Sequence, residues 1–227
     1  DALPICLSAE LSYFHDLPAQ RNFPELIEGA VFGRGIYASR MAAAPGGSLF
    51  EGGFMVDRTQ LLLGGELDLT PAIGLSDATL AGEVAGQWIN NLPDTDEERI
   101  GRNPNWGAAA AINGVCQPLT QNTENGCSVE GFATDFSWGY RLLATVNFPQ
   151  PGLGLEFRPT LAWNHDVEGY SLDGFQVEGR QLVVASLRTI FQRAWFVDVG
   201  RSWYNGNVDY DPARDKDAYF VAAGVAF

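Results

Sequence analysis

The chain has 227 residues, with 28 acidic against 14 basic side chains and a formal charge of −14. Phosphate binding needs clustered Lys and Arg, so this balance argues against a nucleic-acid partner. No stretch approaches the ~18 consecutive apolar residues of a membrane helix, which excludes a helical span. Hydrophobic residues still make up 46% of the chain and aromatics 12%. They are scattered in alternation, which suits strands with two different faces. One β-domain over residues 1–227 is expected at this length. Asp1-Ala-Leu-Pro has neither the basic n-region nor the apolar h-region of a signal peptide. Either a leader has been removed or the sequence is a piece of a longer chain.

In chain order, Ile5 to Tyr13 alternates cleanly and predicts the first strand. Residues 15–54 break the pattern with Pro18, Pro24, Pro45 and several glycines. They predict a long loop, with a short strand or helix within 30–40. Thr59 to Leu69 and Ala78 to Trp88 predict two strands joined by a short connection at 71–76. A second long polar loop, 90–130, holds Cys116 and Cys127, which bracket a polar segment that a disulfide can close. Cys6 is left over. Phe136 to Phe148 predicts the next strand, and Pro149-Gln-Pro-Gly152 a tight turn. Strands follow at Leu153–Asn164, Val183–Phe191 and Trp195–Trp203, separated by a Gly-rich loop at 166–179 and a turn near Arg193. A polar loop at 204–216 leads to the last strand, in which Tyr219, Val221, Ala223, Val225 and Phe227 share one face.

About eight strands result, with connections that alternate long, short, long. Outer-membrane β-barrels sort loops in this way, with short periplasmic turns and long extracellular loops. The expected fold is therefore all-β, an antiparallel transmembrane barrel of the bacterial outer membrane, complete in itself or part of a larger barrel. Both termini then lie on the periplasmic side. Tyr219, Val221, Val225 and the terminal Phe227 form the segment that barrel-assembly machinery reads. Trp88, Trp163, Trp195 and Trp203 fall near strand ends, as interface aromatics do. Lipid and lipopolysaccharide are the surroundings this fold requires. Arg201 falls on the lipid side by parity, where a place near the rim lets it reach headgroup phosphates.

Parity puts Glu66, Asp68, Glu83, Gln87, Arg141, Glu156, Arg158, Arg188 and Asp198 opposite the apolar stripes. A charge facing mid-bilayer lipid costs roughly 2–4 kcal/mol, so these residues are expected to line a lumen. Glu83 is expected to pair with Arg141, and Glu156 or Arg158 with Arg188. A salt-bridged plug and a conducting lumen fit these charges equally. Catalysis is not expected: His165, Asp166 and Ser171 supply the residue types of a hydrolase, yet polar residues belong at a strand end anyway. No cofactor or resident metal is expected. The acidic stretch Asp209-Tyr-Asp211 to Asp217 lacks the Gly and terminal Glu of an EF-hand loop.

Several segments together resemble a family of Gram-negative outer-membrane proteins, domain-of-unknown-function family thirteen-oh-two. They are Ser8-Ala-Glu-Leu-Ser-Tyr13 with Leu17-Pro18, Thr59-Gln60-Leu61, and Ala81-Gly-Glu-Val84 with Asn91-Leu-Pro93. Ser137-Trp-Gly-Tyr-Arg-Leu142, Pro159 through Tyr170, Val177-Glu-Gly-Arg180 and Asn207 through Val221 continue the series, with Lys216 where the family has Arg. The resemblance spans nearly the whole chain in order. It implies correspondence to the C-terminal half of longer proteins, a setting beside a periplasmic lipoprotein and an inner-membrane exporter, and hydrophobic cargo. The expected function is a porin-like channel assisting hydrophobic or amphiphilic molecules, lipid- or steroid-like, across the outer membrane. The alternative is a structural or partner-binding barrel with a plugged lumen and no transport.

Overall fold

The computed structural model describes residues 4–69, 77–109, 111–112, 115–116 and 127–225. Its strands are β1 Ile5–Gln20, β2 Gly53–Asp68, β3 Asp77–Ile89, β4 Ala111–Ile112, β5 Val115–Cys116, β6 Phe136–Gln150, β7 Leu155–Glu168, β8 Gln181–Phe191, β9 Trp195–Tyr204 and β10 Ala218–Val225. Among the described residues, eight of these form one antiparallel meander in the order β1-β2-β3-β6-β7-β8-β9-β10, and β4 pairs only with β5. All eight expected strands are therefore present. The terminal residue Phe227, the connection at 71–76 and the Cys116 side chain lie outside what is described.

Because neighbours in the sheet are neighbours in sequence, the connections alternate between its two ends. At one end β6 passes to β7 through a 3-10 turn at Pro151–Leu153, and β8 to β9 through residues 192–194. The opposite end carries the long segments 21–52, 90–135, 169–180 and 205–217.

The expected loop at 15–54 is corrected. β1 continues to Gln20 through a register shift between Phe14 and Leu17, and β2 already starts at Gly53. Between them lie two helices, α1 Phe23–Phe32 and α2 Ala38–Ala43. The Asn22 side chain caps α1 by accepting from Glu25 N, and Pro24 sits in the first turn, where its missing N–H costs nothing. α1 ends at Gly33, whose φ of 62° is the left-handed cap conformation.

Register sorts the side chains into two faces. One carries Leu63, Leu80, Val84, Leu142, Leu161, Leu187, Val199 and Val221, all of them exposed. Trp88 packs against Phe136 (5.1 Å) and Tyr140 meets Trp163 edge-to-face (5.4 Å) towards the loop end of this face, and Phe148, Phe191 and Trp195 lie towards the short-turn end. The apolar band thus has aromatic rings along both margins. Among the described residues β1 and β10 do not pair with each other, so the sheet has two open edges. Residues on both edges stand far into solvent, with Leu7 80% and Tyr219 77% exposed.

The core proper is small and sits at the loop end. Ala19, Val56, Ile89, Ile100 and Ala133 form it, with Leu17, Phe54, Leu92 and Leu172 packed around. Val56 and Ile89 extend the polar face of β2 and β3 upward, so the loops close over that face and not over the apolar one.

Candidate functional site on the polar sheet face

Glu66 and Asp68 of β2 face the same way as Glu83 and Gln87 of β3, Arg141 of β6, and Glu156 and Arg158 of β7. Arg188 of β8 and Asp198 of β9 complete the set, so the register brings all the expected lining residues onto one face. Cys6, Ser8, Glu10 and Ser12 of β1 join them. A cavity of about 310 Å³ touches Glu10, Gln60, Glu83, Gly139, Arg141 and Asp166, which come from five successive strands. In a flat sheet those strands would span ~19 Å at ~4.8 Å per pair, so the sheet must curl around this space. A second cavity, of about 460 Å³, shares Glu83 and Arg141 and runs down past Glu66, Ala81, Leu143 and Ala162.

The expected ion pairs are partly redrawn. Glu83 and Arg141 are direct cross-strand neighbours, yet they form no ion pair in this structure. Arg188 takes Asp198 in a bidentate pair (2.7 and 2.8 Å), so the expected pairing with β7 does not form, although Arg158 stands directly opposite Arg188. Arg158 instead bonds Glu156 two residues away on its own strand (2.8 Å). The Arg188–Asp198 pairing was readable: the tight turn sets Phe191 opposite Trp195, and three steps back from the turn Arg188 meets Asp198. Glu10, Glu66 and Glu83 have no ion-pair partner among the described residues.

The loop end of the face is closed by charged side chains that sequence reading left unassigned, because they are dispersed through two aperiodic segments. Glu98 is held by Nε and Nη2 of Arg21 (2.7 and 2.8 Å), by Arg40 (2.8 Å) and by the Tyr37 hydroxyl (3.2 Å). Burial alone would raise the Glu98 carboxyl, but hydrogen bonds from Arg21 and Arg40 outweigh it and hold it below the usual range. Burial pushes the Tyr37 phenol up to about 12. Fully buried Glu25 takes Arg99 (2.9 Å), and Glu28 takes Arg34. Arg102, whose guanidinium lies 4.0 Å above the Phe132 ring, is lowered by burial to about 10.

The segment 169–180 folds inward. Gln176 Oε1 accepts from Ser137 Oγ of β6 (2.6 Å) and from Gln87 Nε2 of β3 (3.3 Å). Asp173 lies 3.7 Å from Arg58 of β2. The hydrolase residues are not assembled. Ser171 Oγ bonds Asp173 and Gln176 N, Asp166 bonds Arg180, and His165 bonds the Tyr140 hydroxyl on the apolar face. In the acidic stretch, Asp211 caps a turn at Ala213 N, and Asp217 takes Tyr204 N and Arg201. Arg201 itself stacks on Trp203 and Tyr219 at the rim of the apolar face. His15, Asp16 and Asp57, at the β1 register shift, place ligand atoms within 4.8 Å of one another in an exposed cluster. The expected Cys116–Cys127 bridge falls on a side chain outside the described residues, and Cys6 is a free, exposed thiol.

A two-faced antiparallel meander, apolar on one face and polar on the other, defines the class of structure. The family described as protein of unknown function (DUF1302) matches residues 3–227, and the chain belongs to that family. No curated protein matches the chain, and no solved structure does.

Proposed function

We propose that this chain forms wall of a transmembrane β-barrel in a Gram-negative outer membrane and assists the passage of hydrophobic or amphiphilic, lipid- or steroid-like molecules along its polar face. One observation carries the reading: an exposed apolar band crosses the whole sheet, margined by aromatic rings, with the charges gathered on the other face except at the rim, where Arg201 stands. In water so large an apolar surface is an aggregation liability, whereas hydrocarbon requires it. Between its two edge strands the ladder satisfies its own backbone groups, as a bilayer demands. On the polar face Ala81, Leu143, Ala162 and Val184 are successive partners, directly beside the row Glu83, Arg141 and Asn164. That pairing of an apolar track with polar groups suits an amphiphile better than a small ion.

The two open edges must be covered in a membrane. We infer that they do so by meeting each other or by pairing with further strands of a larger barrel, of which this chain would be the C-terminal half. The short turns and both termini would face the periplasm, and Phe227 would be read by the assembly machinery. The long loops, with the Cys116–Cys127 bridge, would face outward. A periplasmic lipoprotein and an inner-membrane exporter are the proposed partners. The second reading, a plugged barrel that binds a partner, is favoured by the closed loop end with its Glu98 and Glu25 networks.

The test is reconstitution in planar bilayers together with uptake of a labelled amphiphile into liposomes. Stepwise openings and uptake are expected. Protein that shows the heat-modifiable mobility of an inserted barrel, yet neither conducts nor admits the label, would leave the plugged reading in place of transport.

A further inference from the structure

Residues 169–180 leave the sheet between β7 and β8 but make their anchoring contacts on β6, β3 and β2. At ~4.8 Å per strand this is a reach of ~14 Å across the polar face. The path is set at its start. Gly169 has φ of +79°, and a Cβ there would lie 2.2 Å from Phe136 O, so only glycine permits this departure. Thr134 then clamps Tyr170 by an exchange of backbone and hydroxyl bonds (2.9 and 3.0 Å). Leu172, half-buried, packs against the small core that holds Val56 and Ile89. At the far end Gln176 meets Gln87 and Ser137, which are almost completely buried. Two buried donors that share one acceptor are expensive to leave unpaired, so this contact holds the segment down. The side of the segment turned to the 310 Å³ cavity presents Asp173, the exposed ring of Phe175 and Gln176, opposite Glu10, Gln60, Glu83 and Arg141.

We propose that residues 169–180 are an inward strap that forms the constriction of the transport pathway, and that Gln176 is the positioning residue that sets its reach and hence the size of permeant admitted. The inference rests on the reading of the polar face as a pathway. The strap does not seal the space by its own chemistry. It narrows the space by standing over it, and Phe175 offers the passing molecule an apolar surface at the narrowest level.

Single-channel conductance and exclusion of polyethylene glycols of graded size test the strap in three proteins: wild type, Gln176→Ala with Asp173→Ala, and Gln176→Glu. The double variant removes the anchors on β2, β3 and β6, and should raise conductance roughly twofold and admit larger polymers. Gln176→Glu keeps the acceptor oxygen for Ser137 and Gln87 and should behave as wild type, which a general loss of stability would not explain. Openings of unchanged size and cut-off in all three would overturn the strap and leave the pathway standing. Silence from all three, in preparations with folded mobility, would overturn the pathway and the strap with it.

Discussion

Gly200 shows how closely single positions are fitted on the last hairpin. It pairs directly with Phe220, and a Cβ built on it would sit 2.2 Å from the Phe220 ring. Gly224 lies under Phe196 in the same way, four pairs further on. Each phenyl ring thus covers a bare stretch of backbone and removes it from water, an arrangement that pins register in glycine-rich strands. Gly200→Val should therefore destabilise the inserted protein by about 1–3 kcal/mol, since the ring has to leave its place. Adding Phe220→Ala should recover part of that loss. Urea unfolding in lipid vesicles, followed by tryptophan emission, measures both, and an unchanged midpoint for Gly200→Val would show that the ring has room to move.

Elements were legible in proportion to their periodicity. Eight strands announced themselves because a period-two pattern persists where one face meets an apolar medium and the other a polar one. The helices α1 and α2 did not, because Pro24 reads as a breaker unless Asn22 is recognised as a cap just ahead of it. β1 was cut short at Tyr13 because the register shift after Phe14 interrupts the alternation and Pro18 looks like a loop residue, although an edge strand tolerates it. The cap network escaped for a different reason: Arg21, Glu25, Glu98 and Arg99 are brought together by tertiary folding alone.

That network makes a prediction about pH. Glu98 has a folded value below its ordinary one, so its contribution is present above the ordinary glutamate range, roughly pH 4.3, and is lost as pH falls through the lowered value. Hydrogen exchange in residues 94–109 should therefore stay slow at neutral pH and quicken only below that range. Glu98→Ala leaves the Arg21 and Arg40 guanidinium groups without their shared carboxylate. It should quicken the same exchange at neutral pH, by about 3 kcal/mol of lost protection. Protection that is identical in wild type and variant would mean that the ion cluster is incidental to the closure.

For the whole molecule the informative quantity is the charge left over once pairs are removed. On the polar face Arg158 is matched by Glu156, Arg188 by Asp198, Arg180 by Asp166, and Arg58 faces Asp173. Among the described residues Arg141 is then the one cation on this face to set against Glu10, Glu66 and Glu83, which carry no ion pair there. A pathway built on this face is consequently negative where the two cavities meet, in keeping with the formal charge of −14. It should pass K⁺ in preference to Cl⁻. Glu66→Gln with Glu83→Gln should bring the permeability ratio towards unity without altering the strap. The preference should also weaken between 0.1 M and 1 M salt, as the screening length falls from ~10 Å to ~3 Å. Reversal potentials across a salt gradient give the ratio directly. An anion preference in the wild-type protein would mean that Arg141, and not the glutamates, faces the permeant, and would reverse the assignment of the row Glu83 to Arg141 as the cation-favouring level.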